Sequence, residues 1–172
     1  MGSRRGVVAL LLALFAVSAT TALGATGAAT VKSSSNAKLG SILVNARGLT
    51  LYRFTKDRNG ASACTGGCAA AWPPLLVSGS AKPVAGAGIT ASKLGTMKRS
   101  DGTMQVTYGG APLYRYAEDT KPGQAKGQGE GGVWFAVSPS GALVKSTKEA
   151  APAASTSSGS SSSSSSGDGS GY

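Results

Sequence analysis

Short apolar runs, each closed by a glycine-bearing link, recur along this chain. "SILVN" and "LTLYRF" flank "ARG", and "TMQVTY" and "PLYRYA" flank "GGA". Runs of this length, rich in β-branched and aromatic residues and broken by glycine, predict strands joined as hairpins. "GGVWFAVSPSGALVKS" predicts a further hairpin by the same signals. "CAAAWPPLLVSG" predicts a helical turn at its start, and Pro73-Pro74 confine the residues after that turn to a sheet edge or a loop, because proline donates no ladder hydrogen bond. The expected class is all-β, a small single domain made of two β-hairpin-rich repeats packed together, with one short helical turn at the cysteine pair.

The pattern occurs twice. Slid against itself by 62 residues, the separation of Tyr52 and Tyr114, the chain matches without an insertion over about forty residues. Gly40 meets Gly102, Val44 meets Val106, and Gly48 meets Gly110. "LYRFTKD" (Leu51 to Asp57) meets "LYRYAED" (Leu113 to Asp119), and Trp72 meets Trp134. Repeat one spans about 39–79 and repeat two about 101–141. In an extended strand Tyr52 and Phe54 point to one face and Leu51, Arg53 and Thr55 to the other, and Tyr114 and Tyr116 repeat that parity. The aromatic face is read as a shared core between the repeats, with an aromatic ligand platform as the competing use. Asp57 and Asp119 stand where strand gives way to loop, where a carboxylate closes a turn on backbone amides two residues on, a reading preferred to a catalytic or metal role.

The ends of the chain read differently. Arg4 and Arg5, an apolar run from about Val7 to Val17 and a small-residue stretch form a signal-peptide pattern over 1–24; its apolar core is too short for a spanning helix, so retention as an anchor is the minor alternative. Residues 25–37 are expected as a flexible lead-in, 38–148 as the folded body, and the Ser/Gly-rich 149–172 as a disordered tail with too little apolar surface to offset the entropy of ordering. The formal charge is +10, and +8 once Arg4 and Arg5 are removed. A basic exported body can be drawn to anionic surfaces such as envelope polymers, lipid head groups or nucleic acid, but charge scattered along the chain reads first as simple solubility. Its Lys and Arg are scattered, and no nucleic-acid module is present, so specific nucleic-acid binding is not expected.

Chemistry is sparse. The chain has no histidine, which excludes Ser-His-Asp and Cys-His catalysis and the commonest zinc ligand. Glu118 and Asp119, adjacent on an extended segment, face opposite ways and make a poor acid–base pair. Cys64 and Cys68, with three residues between them, read most simply as a disulfide in an exported chain. Closing so short a loop stabilises by roughly 2 kcal/mol in the chain-entropy model. The alternative is thiol-redox or soft-metal (copper) handling through the same two sulfurs, with Met97 or Met104 as added ligands. "PGQAKGQGEGG" (Pro122 to Gly132) reads as a mobile surface loop and "KRSDG" (Lys98 to Gly102) as an Asp-Gly turn carrying two solvated charges.

Tyr52-x-Phe54-x-x-Asp57 and Tyr114-x-Tyr116-x-x-Asp119, with "CTGGCAAAWPPL" and "PGQAKGQGEGGVWFAVSPSG" beside them, resemble the Tyr-x-(Phe/Trp/Tyr)-x-x-Asp signature of the bacterial "secreted repeat of unknown function" proteins, a group described as predicted lipoproteins. The resemblance implies an exported protein and brings no activity. No cysteine follows the apolar signal, so the lipid-attachment site that the description implies is missing here. The expectation is an exported, secreted or envelope-located, non-enzymatic binding or structural module of unknown ligand, monomeric, with no cofactor, no metal and no catalytic residue. Its motif residues are Tyr52, Phe54, Asp57, Trp72, Tyr114, Tyr116, Asp119 and Trp134.

Overall fold

The computed structural model describes residues 27–145, together with Gly2. The predicted signal segment (Gly2 apart) and the Ser/Gly-rich tail lie outside the described residues. Nine strands are described: β1 (Thr30–Asn36), β2 (Gly40–Asn45), β3 (Tyr52–Phe54), β4 (Leu76–Val77), β5 (Val84–Ala85), β6 (Leu94–Lys98), β7 (Met104–Tyr108), β8 (Ala111–Pro112) and β9 (Trp134–Ala136). One helical turn, α1 (Gly67–Ala71), lies at the cysteine pair as the sequence predicts. The strands form three small sheets, ordered β2-β1-β5, β3-β9 and β4-β7-β6, with β8 added to β7.

The predicted hairpins are present. Asn45 makes the first turn: its Oδ1 accepts the amides of Arg47 and Leu49, while Gly48 takes a φ of 81° that a side chain would disfavour. In the second, Tyr108 pairs with Ala111 across Gly109 and Gly110. The third returns through the Val137–Leu143 bridge. Leu76 and Val77 pair with β7 at the edge of their sheet, as the preceding prolines require.

One expectation fails at the start of the body. The composition of 25–37 predicts a loose lead-in, yet β1 occupies most of it. Six residue pairs set its register against β2, from Val31–Asn45 to Asn36–Gly40, and it runs parallel to β5. Its serines hid it. Ser34 and Ser35 are exposed, so the strand is held by backbone pairing and by two buried anchors, Val31 and Asn36. Asn36 caps its own turn, accepting the amides of Lys38 and Leu39.

Pairing runs between repeats as much as within them. β3 of repeat one pairs with β9 of repeat two, and the equivalent segment of repeat two, at Tyr114, bridges Pro74 of repeat one. Leu75 donates its amide to Leu113 O and Val137 donates its amide to Leu51 O, two bonds related by the same offset. Strand parity divides the core accordingly. Leu51 and Leu113 enter a cluster with Leu43, Val106 and Val137, while Tyr52 and Tyr114 enter a second with Trp72, Trp134 and Cys64. Each cluster draws on both repeats, so neither repeat has a core of its own.

Candidate functional site

The motif residues meet where the two repeats face each other. Tyr52 and Tyr114 exchange backbone hydrogen bonds, Tyr52 N–H to Tyr114 O at 2.9 Å and Tyr114 N–H to Tyr52 O at 3.0 Å. Their side chains then cross. The Tyr52 hydroxyl donates to Asp119 Oδ2 at 2.5 Å and the Tyr114 hydroxyl to Asp57 Oδ2 at 2.8 Å, so the tyrosine of each motif is held by the aspartate of the other. The remaining carboxylate oxygens close loops: Asp57 Oδ1 accepts the Ala63 amide and Asp119 Oδ1 the Lys126 amide. The aspartates therefore do close loops, but reach six and seven residues along the chain rather than two.

Burial sets the electrostatics of this lock. It pushes the Tyr52 hydroxyl far above the ordinary phenol range, helped by the Asp119 carboxylate. Tyr114 is pushed up to about 12, again mainly by burial. Burial also raises the Asp57 carboxyl, against the opposing pull of the Ala63 amide, the Tyr114 hydroxyl and two arginines, Arg99 and Arg53.

Four rings stack through the same region in the order Phe54, Trp134, Trp72, Tyr116. The central tryptophans lie 3.9 Å apart and nearly parallel, and each outer pair is 4.3 Å apart. Again the outer ring comes from the other repeat. Tyr52 meets Trp72, and Tyr114 meets Trp134, edge-on. Tyr52 and Tyr114 are fully buried, whereas Phe54 and Tyr116 are half-buried caps on the stack. The aromatic face is a core at its centre and a surface only at its ends.

Two loops differ from their sequence reading. In "KRSDG" the Arg99 side chain is buried rather than solvated. It donates to Gln105 Oε1 at 2.6 Å, to Ser62 Oγ at 2.9 Å and to the carbonyl of Cys64 at 2.7 Å, and its Nε lies 3.5 Å from Asp101 Oδ2. The Tyr114 hydroxyl, its one proton given to Asp57, accepts from the Ser62 hydroxyl at 2.7 Å, which ties the cysteine loop of repeat one to the lock. Arg99, Ser62 and Gln105 carry no pattern that marks them in the sequence; the one clue is Gln105, polar in the middle of an apolar strand. The loop "PGQAKGQGEGG" is fastened rather than free: Gly127 is buried, a Cβ there would lie 2.5 Å from Trp72, and Gln128 bridges Val144 O and the Ala136 amide.

Cys64 and Cys68 are joined as a disulfide, with Cys64 buried and Cys68 half-buried within α1. Among the described residues no group of three or more Cys, Asp or Glu side chains converges as a metal site requires, and no helix is long and apolar enough to cross a membrane.

A family model described as "Secreted repeat of unknown function" matches residues 33–76 and 95–138, together half of the chain. The two matches start earlier than the repeats read from sequence identity, and so take in most of β1 and of β6. No curated protein and no solved structure matches the chain.

Proposed function

The chain belongs to the family of secreted repeats of unknown function, and we propose that it is a non-enzymatic binding module of the envelope or extracellular space, with an anionic envelope polymer as partner. One observation carries this reading. The buried Asp119 and the half-buried Asp57, the carboxylates best placed for acid–base work, have both oxygens spent on tyrosine hydroxyls and loop amides. A carboxylate held by two donors is a strut rather than a general base. The other carboxylates of the body, Asp101, Glu118 and Glu130, are exposed. What remains for function is a braced, basic surface, suited to polyanions through long-range attraction.

The test is co-sedimentation of the exported protein with isolated envelope material across a salt series. Binding that weakens as the Debye length shortens supports the reading; protein that stays in solution at low salt sinks it. Copper handling or thiol redox through Cys64 and Cys68 would need the disulfide opened, and two titratable thiols in the exported protein would favour that rival.

A further inference from the structure

We propose that the cleft between the loop after β3 and the β7–β8 turn is an oxyanion site, built to take a phosphodiester or carboxylate group of an anionic sugar polymer. This assignment rests on the reading above and names the surface that performs it. The cleft encloses about 360 Å³, and its walls include Arg53, Phe54, Arg58, Gly110, Pro112 and Leu143.

Comparison of the two repeats shows how the cleft arises. At the equivalent place in the other repeat, Pro122 lies against Gly48, so close that a Cβ on Gly48 would come within 3.1 Å of the proline ring. Here the counterpart of Pro122 is Gly60 and the counterpart of Gly48 is Gly110, and no ring fills the space. The counterpart of Arg58 is Thr120, so only this copy carries a second arginine beside Arg53. One copy is plugged; the other is open and lined by two arginines. Asn59, next to Gly60, holds a φ of 52°, the one positive φ of a non-glycine residue among those described. Asparagine tolerates this left-handed conformation, and Asn59-Gly60 form a two-residue turn that the Ala61 amide closes on the Arg58 carbonyl, fixing the backbone at Arg58.

The two guanidinium groups are oriented in advance. Arg53 Nη1 donates to Gly141 O at 3.0 Å, and Arg58 Nη1 donates to the carbonyls of Thr55 and Asp57. Neither forms a salt bridge among the described residues, where the single ion pair is Arg99–Asp101. Arg53 is half-buried, and burial lowers its pKa against the opposing pull of the nearby Asp57 carboxylate, with which it forms no direct ion pair, so its charge is held partly out of water and only partly balanced. Asp57 also borders the cleft, but its oxygens are engaged by Ala63 and Tyr114. Two fixed planar forks match a tetrahedral or planar oxyanion. Phe54, Pro112 and Leu143 supply an apolar wall for the body of a sugar ring.

The experiment is calorimetric titration of the exported chain, at fixed ionic strength, with three probes of equal length: glycerol-phosphate oligomers, glucuronate oligomers and uncharged glucose oligomers. One or both charged probes should bind at one to one, and which one does so identifies phosphate or carboxylate as the group taken. Arg58→Gln, at an exposed position, should weaken binding about tenfold or more while the thermal midpoint holds, and Arg53→Gln should weaken it as much with a small drop in midpoint from the lost bond to Gly141 O. Lys126→Gln, in the separate cleft near Asn36, should leave it unchanged. The site is overturned if neither charged probe binds, or if Lys126→Gln weakens binding as much as Arg58→Gln, since net charge alone would then account for it. Envelope co-sedimentation separates the two claims: loss of it in the unaltered protein defeats the functional reading, whereas its persistence in the Arg53→Gln/Arg58→Gln double variant defeats only this site.

Discussion

Tyr52 and Asp119 come from different repeats, and the bond between them is the most deeply buried polar contact of the lock: Tyr52 is 0% exposed and Asp119 2%. Tyr52→Phe removes the donor to Asp119 Oδ2 and admits no water in its place, so it should cost about 1 to 3 kcal/mol in chemical denaturation. Tyr114→Phe should cost less, because half-buried Asp57 can turn to solvent. The raised phenol pKa values give a second test. Both states are neutral below the ordinary phenol value, so stability there is unaffected; above pH 10 the unfolded chain ionises first, and stability falls as pH rises toward about 12, the folded value at Tyr114. Ultraviolet titration should show Tyr52 and Tyr114 ionising only as the protein unfolds, and Tyr52→Phe/Tyr114→Phe should remove that part of the alkaline loss. The motif spacing announced these four residues. Their crossed pairing was not legible, because parity within one strand says nothing about which aspartate a hydroxyl will reach.

At the scale of elements, short apolar runs and glycine-bearing turns sufficed for the hairpins around Gly48, Gly109 and Gly141, where local pattern and backbone demand coincide. They failed for β1, whose pairing partners lie at β2 and β5 and whose exposed residues are serines. They failed again for Pro122 to Gly132, where glycine signals contact rather than freedom. Gly127 has Trp72 Cη2 at 2.5 Å and Tyr116 Cγ at 3.1 Å from the place a Cβ would take. Gly127→Ala should therefore destabilise the protein by about 1 to 3 kcal/mol through overpacking against the ring stack. Glycines whose added Cβ would meet nothing, such as Gly67 in α1, provide the control: Gly67→Ala should be neutral or slightly stabilising in the same denaturation series. Equal effects at both positions would mean that the loop does not press on Trp72.

The whole molecule is two repeats that complete one another, which is why the phrase "LYR" is written twice: each copy supplies the tyrosine that the other's aspartate holds and the outer ring that caps the other's tryptophan. The duplication was visible in the sequence, and so was a shared aromatic core. The exchange was not, since a constant offset of residues is compatible with two repeats packed side by side as well as with two that trade strands. The exchange predicts how the chain behaves when it is divided. A cut near Gly86 leaves β1 to β5 on one piece and β6 to β9 on the other, separating β3 from β9 and β4 from β7. Each piece then carries only part of both hydrophobic clusters and one unpaired member of every Tyr–Asp couple. Neither half should show a cooperative unfolding transition alone, because about sixty residues without a closed core cannot offset their ordering entropy. Mixed at equal concentration, the halves should associate one to one and recover near-ultraviolet circular dichroism from the stacked tryptophans, with a midpoint that rises with concentration as mass action requires. Cooperative folding of either half by itself would show that its contacts within one repeat outweigh those across the pair, contrary to the way β3, β9 and the two tyrosines are joined.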